Sequence, residues 1–117
     1  MTEEELKARC KKMALRIIQL VMSLPKNTVS DVLGKQVLRS ATSVAANYRA
    51  ACKARSKAEF ISKLGIVEEE ADETQLWLEL IMESNLMTPF RVDPLLDEFK
   101  QLTAIIASSR ITARRNR

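Results

Sequence analysis

Between residues 3 and 24, Leu6, Cys10, Met13, Ile17, Leu20 and Leu24 recur at alternating steps of four and three, the spacing that lines one face of an α-helix. Thr2 with Glu5 forms a capping-box pattern at its start, and Pro25 marks its end. Leu15, Ile18 and Met22 project from the opposite side of the same segment. A helix with two apolar faces must bury both, so in a chain this small either it sits centrally or its outer face meets another subunit.

A second helix is expected over about 28–55, with Thr28 and Asp31 as its capping pair and Leu33, Val37, Ser40, Val44, Asn47 and Ala51 as its inward seam. The run from Ser40 to Ala46 is small enough for a neighbouring backbone to approach closely. Ser40 and Asn47 are expected as structural polar residues of the core, Asn47 fixing register with hydrogen-bond partners among apolar side chains. The reverse face carries Lys35, Arg39, Arg49 and Lys53, with Thr42, Ala46 and Ala50 close by.

Ser56-Lys-Ala-Glu59 is another capping box, opening a third helix over about 57–85. Phe60, Leu64, Val67, Ala71, Thr74, Leu78 and Ile81 keep the same rhythm, with Trp77 flanking the core and Gly65 either a weak point or a place of close packing. Leu76 and Leu80 point away from the seam. Asp93 as cap and Pro94 at the first helical position predict a fourth helix over about 94–112, with Leu95, Phe99, Leu102 and Ile106 inward and residues 87–93 as the connection. The whole is expected to be all-α, one domain over 1–117 folded as an antiparallel up-down-up-down four-helix bundle. Leu15, Ile18, Met22, Leu76 and Leu80 are the expected subunit contacts of a homo-oligomer.

Composition sharpens this without naming a chemistry. Two Gly, three Pro and five aromatics in 117 residues are too few for a turn-dense sandwich or barrel. With no His, the chain lacks the usual general base and the commonest metal ligand, and two Cys cannot complete a four-ligand zinc site. The Glu68–Glu73 carboxylates lack the Glu-x-x-His pairs of a di-metal bundle, and no base accompanies Ser40, Ser43 or Ser56. No enzyme activity, metal or cofactor is expected. Cys10 and Cys52 lie in apolar helical patterns and are expected as free thiols of a reduced, cytoplasmic protein. No apolar run reaches the ~20 residues needed to span a bilayer, and no signal sequence is recognisable at the start.

The formal charge of +4 divides unevenly. Residues 1–63 hold 13 Lys/Arg against 5 Asp/Glu, residues 64–109 hold 2 against 10, and the tail 110–117 adds Arg110, Arg114, Arg115 and Arg117. Opposite blocks can satisfy one another within the bundle or between subunits, which competes with a nucleic-acid role. The candidates for phosphate contact are Lys35, Arg39, Arg49, Lys53 and Arg55 together with the four tail arginines. With few aromatics for base stacking, such binding would be salt-sensitive and weakly sequence-specific.

The stretch Gln36-Val-Leu-Arg-Ser-Ala-Thr-Ser-Val-Ala-Ala-Asn47 resembles the pattern Q-x-x-R-S/A-A-x-S-x-x-A-N of the four-helix-bundle proteins encoded in intervening sequences of bacterial 23S rRNA genes. The likeness continues through Arg55-Ser56, Glu59-Phe60-Ile61, Leu64, Ile66, Glu73 and Leu78 and spans all four helices. It implies a cytoplasmic homo-oligomer, often a pentameric ring, with no assigned enzymatic role. A distant relation to the basic accessory protein of diversity-generating retroelements implies RNA, DNA or a nucleic-acid enzyme as partner. Where the family pattern reads A-N-I-A-E-G, this chain has Ala46-Asn47-Tyr48-Arg49-Ala50-Ala51, so a function tied to that Glu does not transfer. Two readings follow: an oligomeric nucleic-acid-binding bundle, or a protein-interaction scaffold whose charges serve only its own assembly.

Overall fold

In the computed structural model, which describes residues 1–116, four helices follow one another: α1 (Glu3–Met22), α2 (Thr28–Cys52), α3 (Lys57–Glu83) and α4 (Pro89–Arg115). No strand occurs among the described residues. Each helix packs chiefly on its neighbour in sequence, and α1 touches α4 along a thin contact. This is consistent with a four-helix bundle, 48 Å long and about 20 Å across.

The helix starts follow from local polar chemistry. Thr2 Oγ1 accepts from Glu5 N at 3.1 Å while Thr2 N donates to Glu5 Oε2 at 3.3 Å, so the capping box satisfies two backbone donors reciprocally. α2 is capped one residue earlier than expected, by Asn27, whose Oδ1 accepts from Ser30 N at 2.8 Å; Thr28 is already helical. Ser56 caps α3 through Glu59 N at 3.1 Å, and the Glu59 carboxylate reaches back past Ser56 to Arg55 N at 3.0 Å. Three of the expected ends are shorter in the structure: α1 stops at Met22, α2 at Cys52 and α3 at Glu83. Asn85 ends α3 in the left-handed region, φ 62°. Its N–H bonds to Met82 O and that of Leu86 to Ile81 O, a Schellman closure that asparagine tolerates better than most residues.

The start of α4 differs most from the sequence expectation. It begins at Pro89 with Thr88 as cap, so Asp93 is helical rather than a cap and Pro94 lies inside the helix. Pro89 at the first position already removes an N–H that would have no helical partner. Beginning there also brings Val92 into the fully buried stripe ahead of Leu95, which offsets the single backbone bond Pro94 cannot make. The helix runs on to Arg115, beyond the expected 112.

The core is the joined set of four stripes. Leu6, Cys10, Met13, Ile17 and Leu20 from α1 meet Val37 and Val44 from α2, Leu64, Val67, Leu78 and Ile81 from α3, and Phe99, Leu102 and Ile106 from α4. On α2 the expected seam residues Val37, Ser40, Val44 and Ala51 are buried, and Gly34, Ala41 and Tyr48 join them, whereas Leu33 and Asn47 are only half-buried. Gly34 lies where an added Cβ would come within 3.3 Å of Leu24 Cδ1 and 3.4 Å of Val21 Cγ1, so α1 and α2 approach closely there. Gly65 has no such neighbour; its nearest atom would be Arg110 Cδ at 4.0 Å.

Candidate nucleic-acid interface and the α2–α3 polar seam

The polar residues of the 36–47 stretch recur every three or four positions, and α2 turns most of them toward α3. Arg39 donates to Glu70 Oε2 at 2.8 Å, to Glu73 Oε1 at 3.2 Å and to Gln36 Oε1 at 3.3 Å. Ser40 is fully buried and its Oγ lies 2.7 Å from Thr74 Oγ1, the polar contact that joins the two helices inside the core. Thr74 Oγ1 also lies 2.8 Å from Glu70 O, and Ser40 Oγ lies 3.3 Å from Val37 O. Asn47 donates within its own helix, to Ser43 O at 3.0 Å and Ser43 Oγ at 2.9 Å, and makes no side-chain hydrogen bond to another helix among the described residues.

Electrostatics in this seam centre on two carboxylates sharing Arg39. A hydrogen bond with Glu70, then burial and the charge of Glu70, push the Glu73 carboxyl above its ordinary value. Burial also pushes Glu70 upward, but hydrogen bonds with Glu73, Ser43 and Arg39 outweigh it and hold the group low. A second cross-link was not visible in sequence: the Arg9 guanidinium grips Glu98 through Nε and through Nη2 at 2.8 Å, and also Gln101 at 2.8 Å, tying α1 to α4. That contact holds the Glu98 carboxyl below its ordinary value. No spacing rule relates residues 9 and 98, because the stagger between α1 and α4 is set by tertiary packing.

The candidate cations divide into three groups. Arg39 is committed to Glu70 and Glu73, and Arg110 Nε to Glu68 Oε1 at 2.8 Å, so both neutralise α3 within the chain. Lys35 lies beside the α1–α2 connection, lining a hollow with Met22 and Gly34. Arg49, Lys53 and Arg55 at the end of α2 fall at the same end of the bundle as Arg114 and Arg115, because α4 runs back along α3 to its beginning. All five are exposed, and none forms an ion pair among the described residues. Arg117 lies outside the described residues.

Of the expected subunit-contact residues, Leu15, Met22, Leu76 and Leu80 are exposed, Met22 at 76%, and Ile18 is half-buried. Ile66 adds to the apolar surface of α3, and Val29, Val32 and Phe90 are exposed elsewhere. A groove of about 510 Å³ runs between α1 and α2, with Ala8, Ala14, Ala45 and Ala46 among its walls and Lys7, Lys11 and Arg49 along it. Cys10 is buried and its thiol pushed up to about 12 by burial; Cys52 is half-buried, and both are free. Trp77 is half-buried and packs against the core. Among the described residues no His, Cys, Asp or Glu cluster is placed to hold a metal ion, and no helix is long and apolar enough to cross a membrane.

These features define a small all-α protein with a polar α2–α3 seam, a basic end and apolar surface on α1 and α3. The chain belongs to the 23S rRNA-intervening sequence protein family, whose model matches residues 3–108. It is similar, at 34% identity and a TM-score of 0.87, to a crystallised protein of unknown function from the S23 ribosomal protein family of Bacteroides thetaiotaomicron VPI-5482. That likeness covers 94% of this chain and 98% of the other. No curated protein matches the chain significantly.

Proposed function

We propose that the protein is a non-enzymatic, oligomeric four-helix bundle that binds nucleic acid, RNA or a ribonucleoprotein, through basic surface repeated by its assembly. The observation that carries this reading is the gathering of Arg49, Lys53, Arg55, Arg114 and Arg115 at one end, without carboxylate partners among the described residues. Cations left unpaired and exposed are suited to phosphate, and a ring multiplies a weak site through avidity. The five-membered ring implied by the family resemblance would present five such ends. A reducing, cytoplasmic setting suits the two free thiols.

Fluorescence anisotropy with labelled single-stranded RNA and duplex DNA over a salt series tests the reading. The expected result is binding that weakens linearly in log salt, with a slope smaller by about 2 in Arg114→Ala/Arg115→Ala. Absence of affinity for either nucleic acid at low salt would end it. The second reading, an interaction scaffold without nucleic acid, draws on the exposed Leu76 and Leu80. Recovery of a protein partner that survives nuclease treatment, together with no affinity for nucleic acid, would favour it.

A further inference from the structure

The outer side of α3 and the outer side of the α1–α2 pair are unlike surfaces. Leu64, Val67, Ala71, Thr74 and Leu78 point α3 into the core. Its opposite side is therefore the stripe Ile66, Glu69, Asp72, Leu76, Leu80 and Glu83, all exposed. Three apolar side chains share it with three carboxylates, and no Lys or Arg occurs between Lys63 and Arg91. That stripe is apolar enough to need cover and acidic throughout.

The α1–α2 groove has the complementary character. Its small walls leave room for a helix ridge, and Lys7, Lys11 and Arg49 line it. Glu4 offsets Lys7 at 2.7 Å, leaving Lys11 and Arg49 as its uncompensated charges. Leu15 and Ile18 continue the same face of α1 toward a second hollow of about 270 Å³ beside Met22 and Lys35. The groove is thus apolar along its floor and cationic along its edges.

We propose that copies of this chain dock head-to-tail, the acidic-apolar stripe of α3 on one copy seating in the α1–α2 groove of the next. This rests on the oligomeric reading above and specifies the surfaces that meet. The two surfaces lie on different sides of the bundle, so one chain cannot satisfy both itself. Because they are unlike, the contact is heterologous, and repeating it closes a ring or extends a filament. Complementary charge selects the partner and register, while Leu76 and Leu80 leave water. A nucleic acid in the groove would meet alanine walls and leave the α3 stripe exposed, so a second copy is the better occupant. Docking withdraws Arg49 from solvent and confines the basic surface to Lys53, Arg55, Arg114 and Arg115.

Light scattering on the full chain and two variants tests this, with circular dichroism checking that each remains helical. Ala8→Trp/Ala46→Trp fills only the groove and Asp72→Lys/Leu76→Lys alters only the stripe; all four positions are exposed. Each variant alone is expected at the single-chain mass of 13.2 kDa, and an equimolar mixture at about twice that mass, because one intact groove then meets one intact stripe. A wild-type protein that is monomeric at micromolar concentration would overturn the oligomeric reading and this docking together. A wild-type assembly that either variant leaves unchanged in mass, or a mixture that stays monomeric, would overturn the docking alone. Loss of RNA binding by the groove variant with its assembly intact would reassign the groove to nucleic acid.

Discussion

Replacing Ser40 and Thr74, singly and together, asks whether the most buried polar residue of the 36–47 stretch serves packing. Each hydroxyl has one proton, and the geometry allows two chains of hydrogen bonds: Thr74 to Ser40 to Val37 O, or Ser40 to Thr74 to Glu70 O. In Ser40→Ala, Thr74 turns its proton to Glu70 O at 2.8 Å and stays satisfied, so the cost is one net hydrogen bond, about 1 kcal/mol. In Thr74→Val, Ser40 retains only the 3.3 Å contact to Val37 O and faces a methyl group, so the cost rises to about 1–2 kcal/mol. The double variant leaves no hydroxyl stranded, and its loss should fall short of the sum by about 0.5–1.5 kcal/mol. Urea unfolding followed by circular dichroism measures all three at one fixed protein concentration, so that the proposed assembly would contribute equally to each. Strictly additive losses, or a double variant that retains stability but loses nucleic-acid affinity measured by anisotropy, would refute a packing role for the pair.

Gly65→Ala should raise stability by about 0.5–1 kcal/mol, because the new methyl meets only Arg110 Cδ at an ordinary contact distance in mid-helix, whereas Gly34→Ala should gain less or lose, since Leu24 and Val21 must give way; thermal melts compare them. Glu98 titrates below its ordinary value when folded, so its contact with Arg9 stabilises above the unfolded carboxylate pKa and the benefit is lost as pH falls through the folded pKa. Glu98→Gln should therefore cost about 1–2 kcal/mol at neutral pH and progressively less as pH falls through the folded pKa, read from urea midpoints over a pH series. Cys10, buried and pushed up to about 12, should resist a thiol reagent such as DTNB at pH 8 in the native protein, react more slowly than Cys52, and become equally reactive in denaturant.

The stripes on α1, α3 and α4 were legible because their apolar residues stand against polar neighbours: Leu64, Val67, Ala71, Thr74, Leu78 and Ile81 are all buried as the rhythm requires. On α2 the signal is weak, since Ser40, Ala41, Thr42, Ser43, Ala45 and Ala46 differ little in hydrophobicity, and a small rotation that keeps Val37, Val44 and Ala51 inside exchanges Asn47 for Tyr48 at small local cost. The choice falls to packing against α1 and α3 together. Asp93-Pro94 is a strong start signal in isolation, but Thr88-Pro89 offers another that also buries Val92, so tertiary burial decides between two valid local solutions. The cross-links of Arg9 and Arg110 depend on axial stagger between helices far apart in sequence, which periodicity does not encode.

That stagger is also what gives the charge blocks their meaning. The acidic run from Glu68 to Glu83 lies on several sides of α3: Glu68 turns to Arg110 on α4, Glu70 and Glu73 to Arg39 on α2, and Glu69, Asp72 and Glu83 outward. Two arginines that sequence reading placed among the phosphate contacts are thereby held by carboxylates. Their replacement should disturb packing of α3 before any recognition. Of the candidate phosphate contacts without such partners, Arg49, Lys53, Arg55, Arg114 and Arg115 gather where α2 gives way to α3 and α4 ends, Lys35 lies at the opposite end, and the outward carboxylates flank exposed leucines. On the docking proposed above, fold and assembly separate what the chain intermixes: acidic-apolar surface would serve contact between copies, and the remaining basic surface would stay open to a polyanion.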